Sequence, residues 1–273
     1  MFEANRNRTA TQALLAVAAL IFHTSVRRVR QQHRNAVVSL LLQVLQTSLL
    51  VLVFFLVFHF LGVRGSPIRG DYLLYILSGV YVYVVHIQSV GAVASAEGPT
   101  SPMMQHAPMS TFVSIAASAL STLYMQCLSL AVILLVYHIA FVPVAIDQPG
   151  YAALLLLLAW MSGCVVGLLF LALTPWAPNA TSFLRNIYIR VNLIASGKMF
   201  VANMLPAALL SVFGWNPLFH IIDQMRSAVF LNYNANFTNP YYPLAVTLAL
   251  LVVGLLAEFF ARKKTSISWF AAR

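Results

Sequence analysis

Acidic side chains are nearly missing from this sequence. Six Asp and Glu stand among 273 residues, against 16 Lys and Arg, and charged residues together make up 8%. A soluble domain carries about 25% charged residues. Classes that need a charged, hydrated exterior therefore fall away first: a soluble enzyme, a disordered tail and a nucleic-acid-binding domain. Cysteine is equally scarce. Cys127 and Cys164 each lie in an apolar run, which excludes a disulfide framework. Chemistry-bearing patterns are lacking too. The carboxylates Glu3, Asp71, Glu97, Asp147, Asp223 and Glu258 form no close pair, no HExxH or GxSxG occurs, and no Cys/His spacing suits a metal. Ser196-Gly197-Lys198 looks like the end of a phosphate-binding loop, but Met199 follows where Ser or Thr belongs and Asn192 holds the place of the first glycine. The expectation is a chain with no catalytic site, no metal and no cofactor of its own, and no ATP hydrolysis.

Hydrocarbon is what the chain has in abundance. Hydrophobic residues make up 61% of it, and the mean hydropathy is +0.85. A helix needs about 20 apolar residues to cross a bilayer. Runs of that kind fall at about 39–61, 72–94, 112–142, 151–173, 183–205 and 244–260. They are too long and too uniformly apolar for barrel strands. The fold class expected is thus all-α integral membrane with six transmembrane helices. Two regions are expected, a cytoplasmic N-terminal interface segment (1–38) and the six-span domain (39–273). The fifth run is the polar one, with Arg185, Arg190, Asn192 and Lys198. Twelve of the sixteen cations fall on one side if the N-terminus is cytoplasmic, Arg64, Arg69 and Arg226 fall on the other, and Lys198 lies within the membrane. That asymmetry places both termini in the cytoplasm.

The ends and loops carry further expectations. An apolar run at 13–22 precedes Arg27, Arg28, Arg30 and Arg34. It reads as a helix lying at the cytoplasmic interface, with a cleaved signal peptide as the alternative. The cytoplasmic loop at 96–110 holds Pro99, Pro102 and Pro108, and Ser101-Pro102 suits the start of a short helix bearing Met103 and Met104. The outer stretch at 206–243 begins apolar enough to re-enter the membrane but too short to cross it, and ends polar and aromatic, with Tyr241 and Tyr242 at the headgroup level. Asn216-Pro217 suits a helix start, and Asp223 and Arg226 are spaced to pair on that helix. Gly163 and Gly167 form a small-xxx-small pair suited to close helix packing.

Lys198 is the most informative single residue. It either snorkels to the outer headgroups or lines a path for an anionic substrate. Tyr72, Tyr75, Tyr81 and Tyr83 are placed to stack sugars or simply to sit at an interface. His59, His86 and His138 read as packing or interfacial histidines.

The segment 195–233, ASGKMFVANMLPAALLSVFGWNPLFHIIDQMRSAVFLNY, resembles the membrane subunits of ABC-2 type exporters, most of all those that export capsular polysaccharide. The matching positions are Ser196, Gly197, Leu205-Pro206, Trp215-Asn216-Pro217-Leu218, His220, Asp223, Arg226 and Tyr233. Lys198 departs from a position that is usually apolar in that family. The resemblance implies a homodimer in the bacterial inner membrane, working with two separate ATPase subunits that hold ATP and Mg. The path would run between protomers, lined by spans one and five, and would carry a polysaccharide or lipid-linked glycan. Lys198, Tyr81 and Tyr83 would line it. Glu97, Met103, Met104 and Pro108, with Arg27, Arg28, Arg30 and Arg34 of the interface helix, would couple to the ATPase. Pro206, Trp215, Asn216, Pro217, His220, Asp223 and Arg226 would form an outer gate in re-entrant helices. Membrane lipid is a further partner and nucleic acid is not. The alternatives are an ABC-2 permease for a drug, lipid or small metabolite, an integral-membrane enzyme acting on lipid-linked substrates, or a membrane scaffold that transports nothing.

Overall fold

The computed structural model describes residues 10–32, 36–60, 68–98 and 110–271. Among the described residues there is helix and no strand. The helices are α1 (Ala10–Gln32), α2 (Ala36–Phe60), α3 (Tyr72–Ala94), α4 (Thr111–Ala140), α5 (Pro149–Leu173), α6 (Pro178–Ala195), α7 (Ala207–Phe213), α8 (Pro217–Val229) and α9 (Tyr241–Ala271), with a 3-10 turn at Ala202–Met204. Their starts follow from local chemistry. Asp71 Oδ1 accepts from the main-chain N–H groups of Leu73 and Leu74, and Ser110 Oγ accepts from Val113, so α3 and α4 each begin on a side-chain cap. Pro149, Pro178 and Pro217 open α5, α6 and α8, where a missing N–H does no harm.

Among the described residues five helices are long and apolar enough to cross a membrane: Val37–Val57, Tyr72–Ala94, Thr111–Ala140, Pro149–Leu173 and Tyr241–Lys263. α3 is the axis of the bundle. Its most apolar window is 83% buried, against 17% for α2 and 22% for α9, which face outward. α3 packs on α5, α8, α4 and α2, while α9 lies on the far side of α5 and α1 runs against α4.

The fifth expected span is where sequence and structure part. The run at 183–205 is not one helix. α6 starts earlier, at Pro178, and stops at Ala195, and the chain then turns through Gly197 at φ +71°. Only a residue without Cβ takes that backbone readily, and a Cβ there would also stand 2.3 Å from the Phe219 ring. The interruption has a physical cause. Arg185, Arg190 and Asn192 deprive α6 of the uniform apolarity of a simple span, and irregular chain deep in a bilayer persists only where protein satisfies its backbone.

Gly163 and Gly167 let α5 touch α3. A Cβ at Gly163 would stand 2.3 Å from the main-chain oxygen of His86, and one at Gly167 would stand 2.7 Å from that of Val90. Both obstacles are backbone, so they cannot swing aside. Gly163→Ala is expected to push the helices apart at a cost of about 1–3 kcal/mol. Gly91→Ala, with nothing within 4 Å of the added carbon, is the matched control. Thermal melting of the two purified variants checks this, and equal melting temperatures would remove the glycine contact from the account.

Candidate transport site and coupling surface

The break after α6 sits beside the middle of α3. Tyr83 is the twelfth of the 23 residues of α3. Its hydroxyl donates to the Ile189 carbonyl of α6 at 3.2 Å, and its ring lies 3.2 Å from Lys198 Nζ. Phe54 of α2 stands 5.0 Å from the same ammonium. Lys198 is 2% exposed, and among the described residues its amine has no hydrogen-bond partner. The side chain is therefore enclosed beside the middle of α3, against the π faces of two rings. Tyr81 does not join it. Two residues along a helix is about 200° round, and the Tyr81 hydroxyl bonds the Gln126 carbonyl of α4 instead. Lys198 and Tyr83 thus come together, and Tyr81 stands apart.

α8 holds the irregular chain in place. Eleven of its thirteen residues are buried, among them His220, Asp223, Gln224 and Arg226. The Arg226 guanidinium donates to the carbonyls of Gly197 (3.3 Å), Lys198 (2.6 Å) and Phe200, and stacks 4.4 Å from the Tyr75 ring. Its planar fork suits several acceptors at once. Asp223 does not pair with Arg226, contrary to the i,i+3 expectation. Its Oδ1 accepts from the Ala202 N–H and the Tyr233 hydroxyl, and its Oδ2 from Thr238 Oγ1 at 2.8 Å. Each residue is spent on the loops rather than on the other. Burial, with the Asp223 carboxylate beside it, holds the Tyr233 hydroxyl protonated well above the ordinary phenol range.

The remaining residues expected at the gate are tied in the same way. Asn216 Oδ1 caps α8 at Leu218 N (3.0 Å), while its Nδ2 donates to Asn192 Oδ1 (2.9 Å) and to the Ala195 carbonyl (3.0 Å). One side chain thus ends α6 and begins α8. His220 Nδ1 accepts from Asn239 N, so Nε2 carries the proton and donates to the Gly214 carbonyl at 2.9 Å. Trp215 is 84% exposed, with its carbonyl accepting from the Tyr242 hydroxyl. Pro206 is exposed at the start of α7, and Pro217 is half-buried.

His86 packs between helices, as its place in an apolar run suggests, though its partners carry no sequence signal: Nδ1 meets Ser162 Oγ at 2.9 Å and Nε2 meets the Tyr188 hydroxyl at 2.8 Å, joining α3, α5 and α6. Arg190, one of the twelve cations assigned above to the cytoplasmic side, follows Ile189, whose carbonyl Tyr83 holds level with the midpoint of α3, and it is exposed. Its distance from the Pro178 helix start was the available signal.

A family model for the ABC-2 type transporter matches residues 19–230. The chain belongs to the ABC-2 type transporter family. It is a multi-pass membrane permease subunit of the kind that works with an ABC ATPase. No curated protein matches it in sequence.

The ABC-2 permease has a second cluster at the opposite end of α3. Arg28 of α1 donates to Ser114 Oγ of α4 at 3.4 Å, and the Glu97 N–H donates to the same oxygen at 3.1 Å. Ser25 adds a bond to the Ala117 carbonyl at 3.3 Å. Burial lowers the Arg28 pKa, and the nearby Glu97 carboxylate opposes that shift. Arg27 is exposed on α1, and Arg30 lies on the same helix. Arg34, Met103, Met104 and Pro108 lie outside the described residues. Ser114, which joins α1, α4 and the chain after α3, carried no sequence signal.

Proposed function

We propose that this ABC-2 permease exports an anionic polysaccharide or lipid-linked glycan across a bacterial inner membrane, driven by ATP and Mg on its ATPase partner. The observation that carries the reading is Arg190. An arginine exposed level with the midpoint of α3, beside the exposed apolar residues Ile187, Val191 and Ile194, is stable in a bilayer only against water, a partner or an anion. A second copy of the chain laid on α6 and α2 gives it that setting, with the path between protomers. Six membrane crossings, α6 with its broken continuation being the fifth, put both termini in the cytoplasm and the cluster around Ser114 beside the ATPase. Arg28 and Glu97 then transmit nucleotide-driven closure to α4 and α3 as a rigid-body shift. The segment 196–240, with α7 and α8, forms the outer gate.

The test is export from vesicles holding the permease–ATPase pair, with an acidic and a neutral form of one glycan. Arg190→Gln is expected to slow the acidic form about tenfold, the effect of one lost charge-assisted hydrogen bond. The neutral form should be unchanged. Equal slowing of both would overturn the anionic assignment. Transport of uncharged drugs or lipids alone would favour the small-molecule alternative.

A further inference from the structure

Near the Asp71 end of the bundle, α2, α3 and α4 enclose a cavity of about 680 Å³. Its volume falls within the range of about 300–1,000 Å³ typical of small-molecule sites. Its inner wall is apolar and buried, with Val51 at 7%, Leu77 at 5% and Ile133 at 9% exposure. Its outer edge is formed by Leu52 and Val136, which are 49% and 55% exposed. The cavity thus opens sideways between α2 and α4, into the space a bilayer fills. Nothing among the contacts of Lys198 or Arg226 reaches it, so it is separate from the transport site.

Among its described lining residues one is charged. Asp71 lines the cavity, half-buried, and caps α3 through Oδ1. The Tyr137 side chain faces its carboxylate. Among the described residues Asp71 forms no ion pair. An apolar slot that opens to lipid and ends in an anion at the helix terminus is complementary to a hydrocarbon chain with a cationic head. We propose that this cavity binds one amine-headed phospholipid of the leaflet at the Asp71 end. An acyl chain lies between Val51, Leu77 and Ile133, and the primary ammonium donates to Asp71. The charge match selects an ammonium head over an anionic one, and the lateral opening selects a resident lipid over a solute arriving from water.

The permease–ATPase pair in phosphatidylcholine nanodiscs, doped with phosphatidylethanolamine bearing a photoreactive acyl chain, tests this. Phosphatidylglycerol with the same chain is the comparison, and labelled residues are read by mass spectrometry. Phosphatidylethanolamine is expected to label the Val51, Leu77 and Ile133 wall about tenfold more than phosphatidylglycerol at equal mole fraction. Asp71→Asn keeps the helix cap and should bring the two lipids level. Val51→Trp fills the slot and should abolish wall labelling by both. Equal labelling in the unaltered protein would overturn the headgroup assignment, and labelling that survives Val51→Trp would overturn the cavity. No wall labelling at all would overturn the proposal outright.

Discussion

Replacing Arg226 by methionine is expected to abolish export and to destabilise the folded chain by about 3–5 kcal/mol, the effect of breaking a buried charged network from one side. Arg226 is fully buried and serves the carbonyls of Gly197, Lys198 and Phe200. Methionine fills similar space but leaves the Lys198 and Phe200 carbonyls without a donor, and the Gly197 carbonyl with only the Phe200 N–H, in a setting that offers no water. Lysine keeps the charge yet presents a single point rather than a fork, so Arg226→Lys should recover part of the stability and little of the function. Thermal melting and vesicle export on the same preparations measure both effects. If Arg226→Met melts with the unaltered protein, the guanidinium is not what holds the broken segment.

Lys198 should behave in the opposite sense. Its ammonium lies buried against Tyr83 and Phe54 with no hydrogen-bond partner among the described residues. The ring contacts return about 0.5–2 kcal/mol, less than the several that burying an unpaired charge costs. Lys198→Met therefore should melt at or above the temperature of the unaltered protein. If the lysine swings out to meet an anionic substrate, the same variant should also export the acidic glycan several-fold more slowly. Lys198→Arg should keep much of the activity, and Lys198→Glu should lose most of it. Stability gained together with transport lost identifies a functional charge. Unaltered export by Lys198→Met at matched expression would remove Lys198 from the path.

Much of this arrangement was legible in the residues. The run 72–94 coincides with α3 because apolar length and an acidic cap leave a helix little choice of boundary. Asn216-Pro217 opens α8 as capping chemistry requires. The spacing of Gly163 and Gly167 marked the face that meets α3. The break in the fifth run was not legible because hydropathy sums over a window and does not register a turn held by distant donors. The expected Asp223–Arg226 pair failed for a related reason. Spacing on one helix cannot see the loops that pack against it, and main-chain groups in irregular chain outcompete a neighbour for each polar side chain. Ser114 and the His86–Tyr188 contact join elements far apart in sequence, and nothing periodic announces such bonds.

Most hydrogen bonds of the α8 side chains reach only short distances along the chain; the bond Gln224 accepts from Tyr151 and the contact of Arg226 with the Tyr75 ring are what tie the helix to α5 and α3. Arg226 bonds residues 26 to 29 positions back, Asp223 bonds Ala202, Tyr233 and Thr238, and His220 bonds Gly214 and Asn239. By contrast Tyr83 and Ile189 are 106 positions apart. Low sequence separation favours rapid closure, and a contiguous block with its own bonds opens and shuts as one cooperative unit. The stretch 196–240 can therefore knot itself during synthesis, before α9 is made, and dock as a finished piece against α3 and α5. It also forms a natural cassette: exchanged whole between family members it carries its internal bonds with it, whereas a crossover inside it severs them.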